Sequence, residues 1–396
     1  MKKTRQFIAG CLLALLSGTA PAHDHAARPA PASARTELAT AAAFGPDGQL
    51  YVVSKEGPHL VLMQSRDEGA SWTPPLKVNI EPEAIAADGD SQPRIAFNPE
   101  GDLLVSWTKP LSRPYTGEIR LARLEKSAAA FSAPITVHRD RAEITHRFQN
   151  LVTDGSGRIT VLWIDKRDLE AAKARKQAYR GAAIYSAVST DGGRTFAAEN
   201  KVADYSCECC RIGLALDRDG APLALWRSVF APNERDHALA RLKPDGTPEQ
   251  VMRATFDRWK VDACPHQGPS IAVDDAGTRH AVWFNQRDGE GRVFYGQLTG
   301  RADGGVDRQM PLGRPGAAHA DIAFSGGVLA IVWKEFDGER TLLRGLRSTD
   351  GGRNFTPLEI AATTGHSDQP RLIVRGNRLF AFWRQANEGF RLYPLP

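Results

Sequence analysis

The sequence predicts an all-β protein, a β-propeller of four-stranded antiparallel blades, from a tryptophan repeat, its period and its turns. A short apolar strand, a Gly or Asn turn and a second apolar strand recur, with Trp six residues after the turn residue. The copies run from Gly101 to Trp107, Gly157 to Trp163, Gly220 to Trp226, Gly277 to Trp283, Gly327 to Trp333 and Asn377 to Trp383. They recur every 50 to 63 residues, which leaves room for four antiparallel strands in each. Repeats of this kind are typical of propeller blades, which bury their faces only against one another.

The number of units predicts seven blades. A further copy runs from Gly48 to Ser54, with Ser in the Trp position. The last unit ends soon after its third strand, near Leu392, so we expect residues 35–41 to supply the missing strand and close the ring. A six-bladed ring, in which one terminal unit is a partial copy, is the alternative. The third unit carries an insertion from Asp168 to Arg180, which predicts a short surface helix or a mobile loop.

The N-terminus is typical of an exported protein. Three positive charges precede an apolar run over residues 7–16 that is too short to span a bilayer, and Ala20-Pro21-Ala22 offers a cleavage site. Residues 1–22 therefore predict a cleaved signal peptide, with a lipoprotein modified at Cys11 as the alternative. Residues 23–34 predict a flexible arm and residues 35–396 the propeller. With no transmembrane segment predicted, a periplasmic or secreted protein is expected.

The net charge and the cysteine content restrict the functions and the type of fold stabilisation that can be expected. Residues 1–22 hold three positive charges and no negative one, so their removal lowers the net charge from +5 to +2. A nearly neutral chain with mixed signs gives no reason to expect nucleic-acid binding. The four cysteines that remain are too few to be the framework of so large a fold, although one or two disulfides between neighbouring blades are possible.

Three loops follow the pattern Ser-x-Asp-x-Gly-x-x-aromatic, at residues 65–72, 189–196 and 348–355. In such a loop the Asp carboxylate accepts backbone N–H bonds, Gly takes the corner with positive φ, and the aromatic side chain packs between sheets. With the blade period, these Asp boxes make the mature chain resemble the sialidase superfamily, as a non-standard member. We expect the loops to be structural, because in that family they lie away from the catalytic centre.

The resemblance implies a site for an acidic sugar. Sialidases grip the substrate carboxylate with three arginines, and Arg94, Arg211 and Arg371 are the candidates here, since two of them follow Gln-Pro at the start of an inner strand. The family also uses a Tyr–Glu nucleophile pair and an Asp acid/base. No such pair can be placed, since Tyr185 and Tyr295 are expected in the core, and no Asp follows Arg94 at the expected position.

The register of the repeats places scarce Cys and His residues at one level of five consecutive blades. Each lies in the short stretch before an innermost strand, called here the approach segment, where the chain enters the mouth of the central channel. The candidates for metal ligation are Cys207, Cys209, Cys210, Cys264 and His266, followed by His319, His366 and His146. Cleavage after Ala22 would add His23 and His25.

Convergent thiols and imidazoles suit copper(I) or zinc(II), and ligation rich in sulfur favours copper. The sequence therefore predicts a binding propeller that handles copper or a related metal, or uses its thiols in redox chemistry. The arginines would attract a small anionic ligand. The first alternative is an exo-α-sialidase-type glycosidase acting on a sialylated glycan. The second is a scaffold propeller that binds another envelope protein.

Overall fold

The computed structural model describes residues 38–396 except 88 and 302. The predicted signal peptide, the whole of the predicted arm, Cys11, His23 and His25 lie outside the described residues. Blades 1 to 3 consist of β1 (Thr40–Phe44), β2 (Leu50–Glu56), β3 (His59–Ser65), β4 (Leu76–Lys77), β5 (Arg94–Phe97), β6 (Leu103–Pro110), β7 (Gly117–Leu124), β8 (Ile135–Thr136), β9 (His146–Thr153), β10 (Ile159–Asp165), β11 (Ala182–Ser189) and β12 (Asn200–Ser206).

The remaining strands form blades 4 to 7, and all the sheets are antiparallel meanders in chain order. They are β13 (Gly213–Leu216), β14 (Pro222–Arg227), β15 (His237–Leu242), β16 (Pro248–Arg253), β17 (Ser270–Val273), β18 (Arg279–Asn285), β19 (Arg292–Leu298), β20 (Val306–Leu312), β21 (Ala318–Ser325), β22 (Val328–Phe336), β23 (Thr341–Ser348), β24 (Thr356–Thr363), β25 (Arg371–Arg375), β26 (Arg378–Gln385) and β27 (Gly389–Pro394). The predicted insertion contains a helix, α1 (Arg167–Ala174). No helix among the described residues is long and apolar enough to cross a membrane.

The seven sheets confirm the predicted propeller, and the six-bladed alternative is wrong. The innermost strand of each blade lies beside the innermost strands of its two neighbours, and β1 lies beside β25. Seven apolar clusters fill the seven junctions between consecutive blades, including the junction of blade 7 with blade 1. Burial of both faces of every sheet therefore closes the ring.

Closure differs from the prediction in one respect. Blade 7 has three strands among the described residues, and residues 40 and 41 begin β1, where they pair with β2. The described part of the 35–41 segment therefore belongs to blade 1 and adds no strand to blade 7. The aromatic packing of Phe44 against Phe380, with ring centroids 5.0 Å apart, ties the two blades instead.

The repeated tryptophans lie on the second strand of blades 2 to 7 and are buried at the blade junctions. Four of the indole N–H groups donate to a carboxylate, such as Trp163 to Asp165 at 2.9 Å and Trp283 to Asp257 at 2.7 Å. Because a buried indole needs an acceptor, these carboxylates fix the orientation of the rings.

The Asp boxes join the third and fourth strands of blades 1, 3 and 6, and their hydrogen bonds are the predicted ones. Asp191 accepts from the backbone N–H groups of Arg194 and Thr195, both at 3.0 Å, and from the Thr195 hydroxyl at 2.6 Å. Gly193 has a φ of +82°, which a residue with a side chain rarely adopts. These hydrogen bonds outweigh the effect of burial and lower the pKa of Asp191 to about 2.

The Asp191→Ala variant is expected to lower the free energy of unfolding by about 1–2 kcal/mol, since the loop is largely exposed but loses several hydrogen bonds. Because the folded-state pKa is depressed, the contribution is present above pH ~4 and is lost as the pH falls toward about 2. Urea unfolding at pH 7 and pH 3 measures both effects. Asp275→Ala, at an exposed turn, is the control, and an equal loss in the two variants would contradict a specific role of the box.

Candidate functional site

The approach segments of four blades meet at Asp90, which is fully buried. Its carboxylate accepts from the backbone N–H of Gly268 at 2.7 Å, from that of Arg211 at 3.1 Å and from the Gln369 amide at 2.8 Å. These residues precede the innermost strands of blades 5, 4 and 7, whereas Asp90 precedes that of blade 2. Segments from across a ring can meet only on its axis, so Asp90 closes one level of the central channel.

Arg211 is the main partner of Asp90 and is itself saturated. It is buried, with Nη1 3.4 Å from Oδ1 of Asp90 and 2.8 Å from Oε1 of Gln369, and it also donates to the backbone carbonyl of Ala320. Burial alone would raise the pKa of Asp90, but the charge of Arg211 and the hydrogen bonds from the Arg211 backbone and the Gln369 amide hold it below its usual value. Of the three predicted arginines, Arg211 therefore fastens blades together and has little capacity left for a ligand.

Arg94 is different, because it makes no hydrogen bond or ion pair within the part of the chain that the structure describes. Its side chain is partly buried and its Nε is fully buried. The positive charges of Arg371 and Arg211 act on it, as do the negative charges of Asp90 and Asp321, which only partly offset them. Burial and these two positive neighbours lower the pKa of Arg94 to about 9. An unpaired guanidinium in such a place is costly unless an anion joins it.

Arg371 is close enough to Arg94 to act on its charge and is only loosely paired. Its Nη2 donates to Oε1 of Gln369 at 3.1 Å, and its Nη1 lies 3.9 Å from Oδ1 of Asp321. Arg94 and Arg371 are thus two incompletely neutralised guanidinium groups whose charges act on each other, and both belong to the set predicted from the sequence.

Asp368 is a candidate acid that no motif in the sequence singled out. Its carboxylate accepts from the Gln369 backbone N–H at 2.7 Å, and Arg371 and Lys334 act on it electrostatically. Burial nevertheless raises its pKa to about 6. The sequence signal that could have identified Asp368 is its place directly before the second Gln-Pro-Arg motif, at residues 369–371.

Two predicted histidines line the same region. Nδ1 of His319 and Nδ1 of His266 are buried and have no hydrogen-bond partner among the described residues. Gly89, with φ +55°, lets the chain pass His266 closely, since a Cβ there would lie 3.0 Å from its Nδ1. Burial lowers the pKa of His319 to about 3, so its imidazole is neutral at neutral pH.

The thiols of Cys207, Cys209 and Cys210 form a compact buried group beside this centre. Sγ of Cys207 lies 3.7 Å from Sγ of both Cys209 and Cys210, and the three atoms all lie within 4.8 Å of one another. They are packed in the apolar cluster between blades 3 and 4. Among the described residues no histidine, Asp or Glu joins this group.

Cys264 lies in an exposed loop, and the influence of the nearby Cys209 thiol lowers the pKa of Cys264. All four are free thiols in this structure. Hydrogen bonds from Cys209 and Cys210 lower the pKa of Cys207, and Nη1 of Arg235, 3.8 Å from its sulfur, adds positive charge. The Cys207 thiolate acts in turn to raise the pKa of Cys209.

The other predicted residues lie apart from these groups. His146 is buried against His138, with ring centroids 4.0 Å apart, and its Nδ1 contacts the carbonyl of Gly117. His366 is exposed. Tyr185 donates to Asp168 at 2.8 Å, and the Tyr295 hydroxyl lies 2.8 Å from Nδ1 of His280, so both tyrosines are at blade junctions as expected.

Solved structures of carbohydrate-active proteins resemble this fold. An ulvan lyase of polysaccharide lyase family PL25, bound to -[GlcA(1-4)Rha3S]-, has a TM-score of 0.56 and 12% identity over 90% of this chain and 91% of its own. The Hadza microbial sialidase has a TM-score of 0.53 and 14% identity over 88% and 73%. The polysaccharide lyase Uly1 has a TM-score of 0.51 and 9% identity over 88% of each chain. No family model and no curated protein matches the sequence. The likeness establishes the fold, which is that of a sialidase-like β-propeller.

Proposed function

We propose that the chain is a sialidase-like glycosidase that binds the carboxylate of a terminal acidic sugar between Arg94 and Arg371. The observation that carries the proposal is the unpaired guanidinium of Arg94 near the axis. A carboxylate placed there would accept charge-assisted hydrogen bonds and relieve the repulsion between Arg94 and Arg371.

The ligand chemistry follows from the surrounding charges. Arg211 is neutralised by Asp90, and Arg371 is only loosely held by Asp321, so the net local charge left for a ligand is positive. A neutral sugar would leave Arg94 without a partner, whereas a uronate or sialate would satisfy it. The fold is similar to those of a sialidase and of a lyase bound to a fragment that contains GlcA, which supports an acidic saccharide.

Asp368 supplies the proton in this proposal. Hydrolysis of a glycoside needs an acid beside the leaving oxygen, and a carboxyl with a raised pKa keeps its proton where an ordinary one loses it. Burial gives Asp368 that property, and Arg371 is close enough to act on its charge. Arg371 therefore connects the group that binds the carboxylate with the group that donates the proton.

A fluorogenic α-sialoside tests the proposal. The wild-type protein should release the fluorophore, and Arg94→Ala should lower kcat/KM about 30- to 1,000-fold, the range of about 2–4 kcal/mol expected for losing a charged partner of a carboxylate. Arg353→Ala is the matched control because its side chain is exposed on the Asp-box loop before β24, whereas the approach segment of blade 7 follows the other end of that strand. Retained turnover in Arg94→Ala, or equal losses in both variants, would contradict the role of Arg94.

A second candidate function is β-elimination from a uronate, and His319 is the observation that favours it. Its imidazole is neutral at neutral pH, its Nδ1 has no partner among the described residues, and Arg371 lies close enough to act on it. An unprotonated imidazole is the form of histidine that can accept the proton α to a neutralised carboxylate. The ultraviolet absorbance of an unsaturated product, formed from a uronate polysaccharide and lost in His319→Ala, would identify this reaction.

A further inference from the structure

The sulfur group beside the axis has a geometry that suits a metal ion. Ligands held about 2.3 Å from an ion in a tetrahedral or trigonal arrangement are about 3.8–4.0 Å apart. The two separations from Cys207 are 3.7 Å each. A disulfide requires a sulfur separation of about 2.05 Å, and Cys207 is equally far from both candidate partners. The arrangement therefore selects no pair for a disulfide but places three sulfurs around one point.

We propose that Cys207, Cys209 and Cys210 together bind one copper(I) ion. The three sulfurs are buried, so an ion among them would be screened from water and held by soft donors alone. This site is separate from the sugar site of the proposed function and depends on different residues.

The number of donors favours copper(I) over zinc(II). Structural zinc is almost always four-coordinate, and within the described chain no fourth Cys, His, Asp or Glu atom lies within 4.8 Å of all three sulfurs. Cys264 is exposed and does not belong to the compact group of three sulfurs. Thiolates without nitrogen or oxygen donors are the ligand type that selects copper(I).

Two arginines near the sulfurs can balance the negative charge of the thiolates. Arg235 donates to the sulfur of Cys207, and Arg227 acts on both Cys207 and Cys210. Three thiolates with copper(I) carry two net negative charges, which these two arginines can balance. The thiol protons of the three cysteines are released to solvent when the ion binds, as is general for thiolate ligands.

Copper binding would also fix the segment that ends at Arg211. Cys210 precedes Arg211, and Arg211 is bonded to Asp90 and Gln369 across the axis. Because a bound ion stabilises only the folded arrangement, the copper-loaded protein should be more resistant to thermal unfolding.

Copper(I) titration of the reduced full-length mature protein, without oxygen, tests the site. The copper is offered as its bathocuproine disulfonate complex, and one equivalent should pass to the protein with new near-ultraviolet absorbance. X-ray absorption on the wild-type complex should show a shell of sulfur only, which makes the result independent of any variant. Cys209→Ala and Cys210→Ala should each weaken binding more than about 100-fold, beyond the loss typical of an outer-shell partner.

Cys264→Ala is the matched control and should keep one copper with the same sulfur shell. Three results would overturn the proposal: no transfer although four free thiols are counted, nitrogen or oxygen in the shell, or loss of binding in Cys264→Ala. Preferential binding of zinc(II) in a parallel titration would overturn the choice of ion. Turnover of a sialoside is measured on the same preparations, so failure of either proposal is recognised separately.

Discussion

Replacing Asp90 by alanine is expected to lower the free energy of unfolding by about 3–5 kcal/mol, the largest stability effect we predict. The reason is that Arg211 would remain buried without its carboxylate. The backbone N–H of Gly268 and the Gln369 amide would also lose an acceptor. These partners belong to blades 4, 5 and 7, so one side chain ties three blades to blade 2.

Chemical denaturation of the purified variant measures this loss. The matched variant is the double replacement Asp90→Ala with Arg211→Met, which removes the uncompensated charge and should recover part of the loss, because the two effects are not additive. The depressed pKa of Asp90 means that its contribution is present above pH ~4 and is lost at lower pH. A loss below about 1 kcal/mol in Asp90→Ala, no larger than that for an ordinary surface change, would show that the axis is not held by this pair.

The fold was predictable because its signals are local. A tight turn with a Trp six residues later recurs in blades 2 to 7, and these tryptophans are buried at the blade junctions as the period requires. The way in which the ring closes was harder to predict, because β1 and β27 do not pair through backbone hydrogen bonds. The contact depends on side-chain packing such as Phe44 on Phe380, which leaves no periodic signal.

For the candidate site, the positions of the residues were more predictable than their interactions. The register of the blade repeats predicted that Arg94, Arg211 and Arg371 lie near the axis. In the structure, all three act on one another electrostatically. The sequence could not show that Asp90 would neutralise Arg211 and leave Arg94 unpaired, because that depends on residues 121 positions apart. The same limit applies to the sulfurs and histidines: Cys207, Cys209 and Cys210 meet, whereas His146 turns toward His138.

Asp368→Asn should give the largest loss of activity, about 100- to 10,000-fold in kcat/KM on a natural sialoside, if Asp368 is the proton donor of the proposed function. Because its pKa is raised to about 6, wild-type turnover should fall as the pH rises above that value. Asparagine keeps the oxygen that accepts from the Gln369 N–H but holds no proton to donate. The variant should therefore lose this limb of the pH profile.

The leaving group separates catalysis from a structural effect. A fluorogenic aryl sialoside needs less help from an acid than sialyllactose does, because its leaving oxygen is a weaker base, so Asp368→Asn should damage sialyllactose turnover far more. The stability of the two proteins provides the control. Burial of the Asp368 carboxylate charge lowers the stability of the wild-type protein as the pH rises from about 4 through about 6. The uncharged Asp368→Asn variant should therefore be at least as stable as the wild type at pH 7. Equal losses on both substrates, or lower stability of the variant at pH 7, would contradict a proton-donating role, since a donor's removal is felt most where the leaving oxygen is most basic.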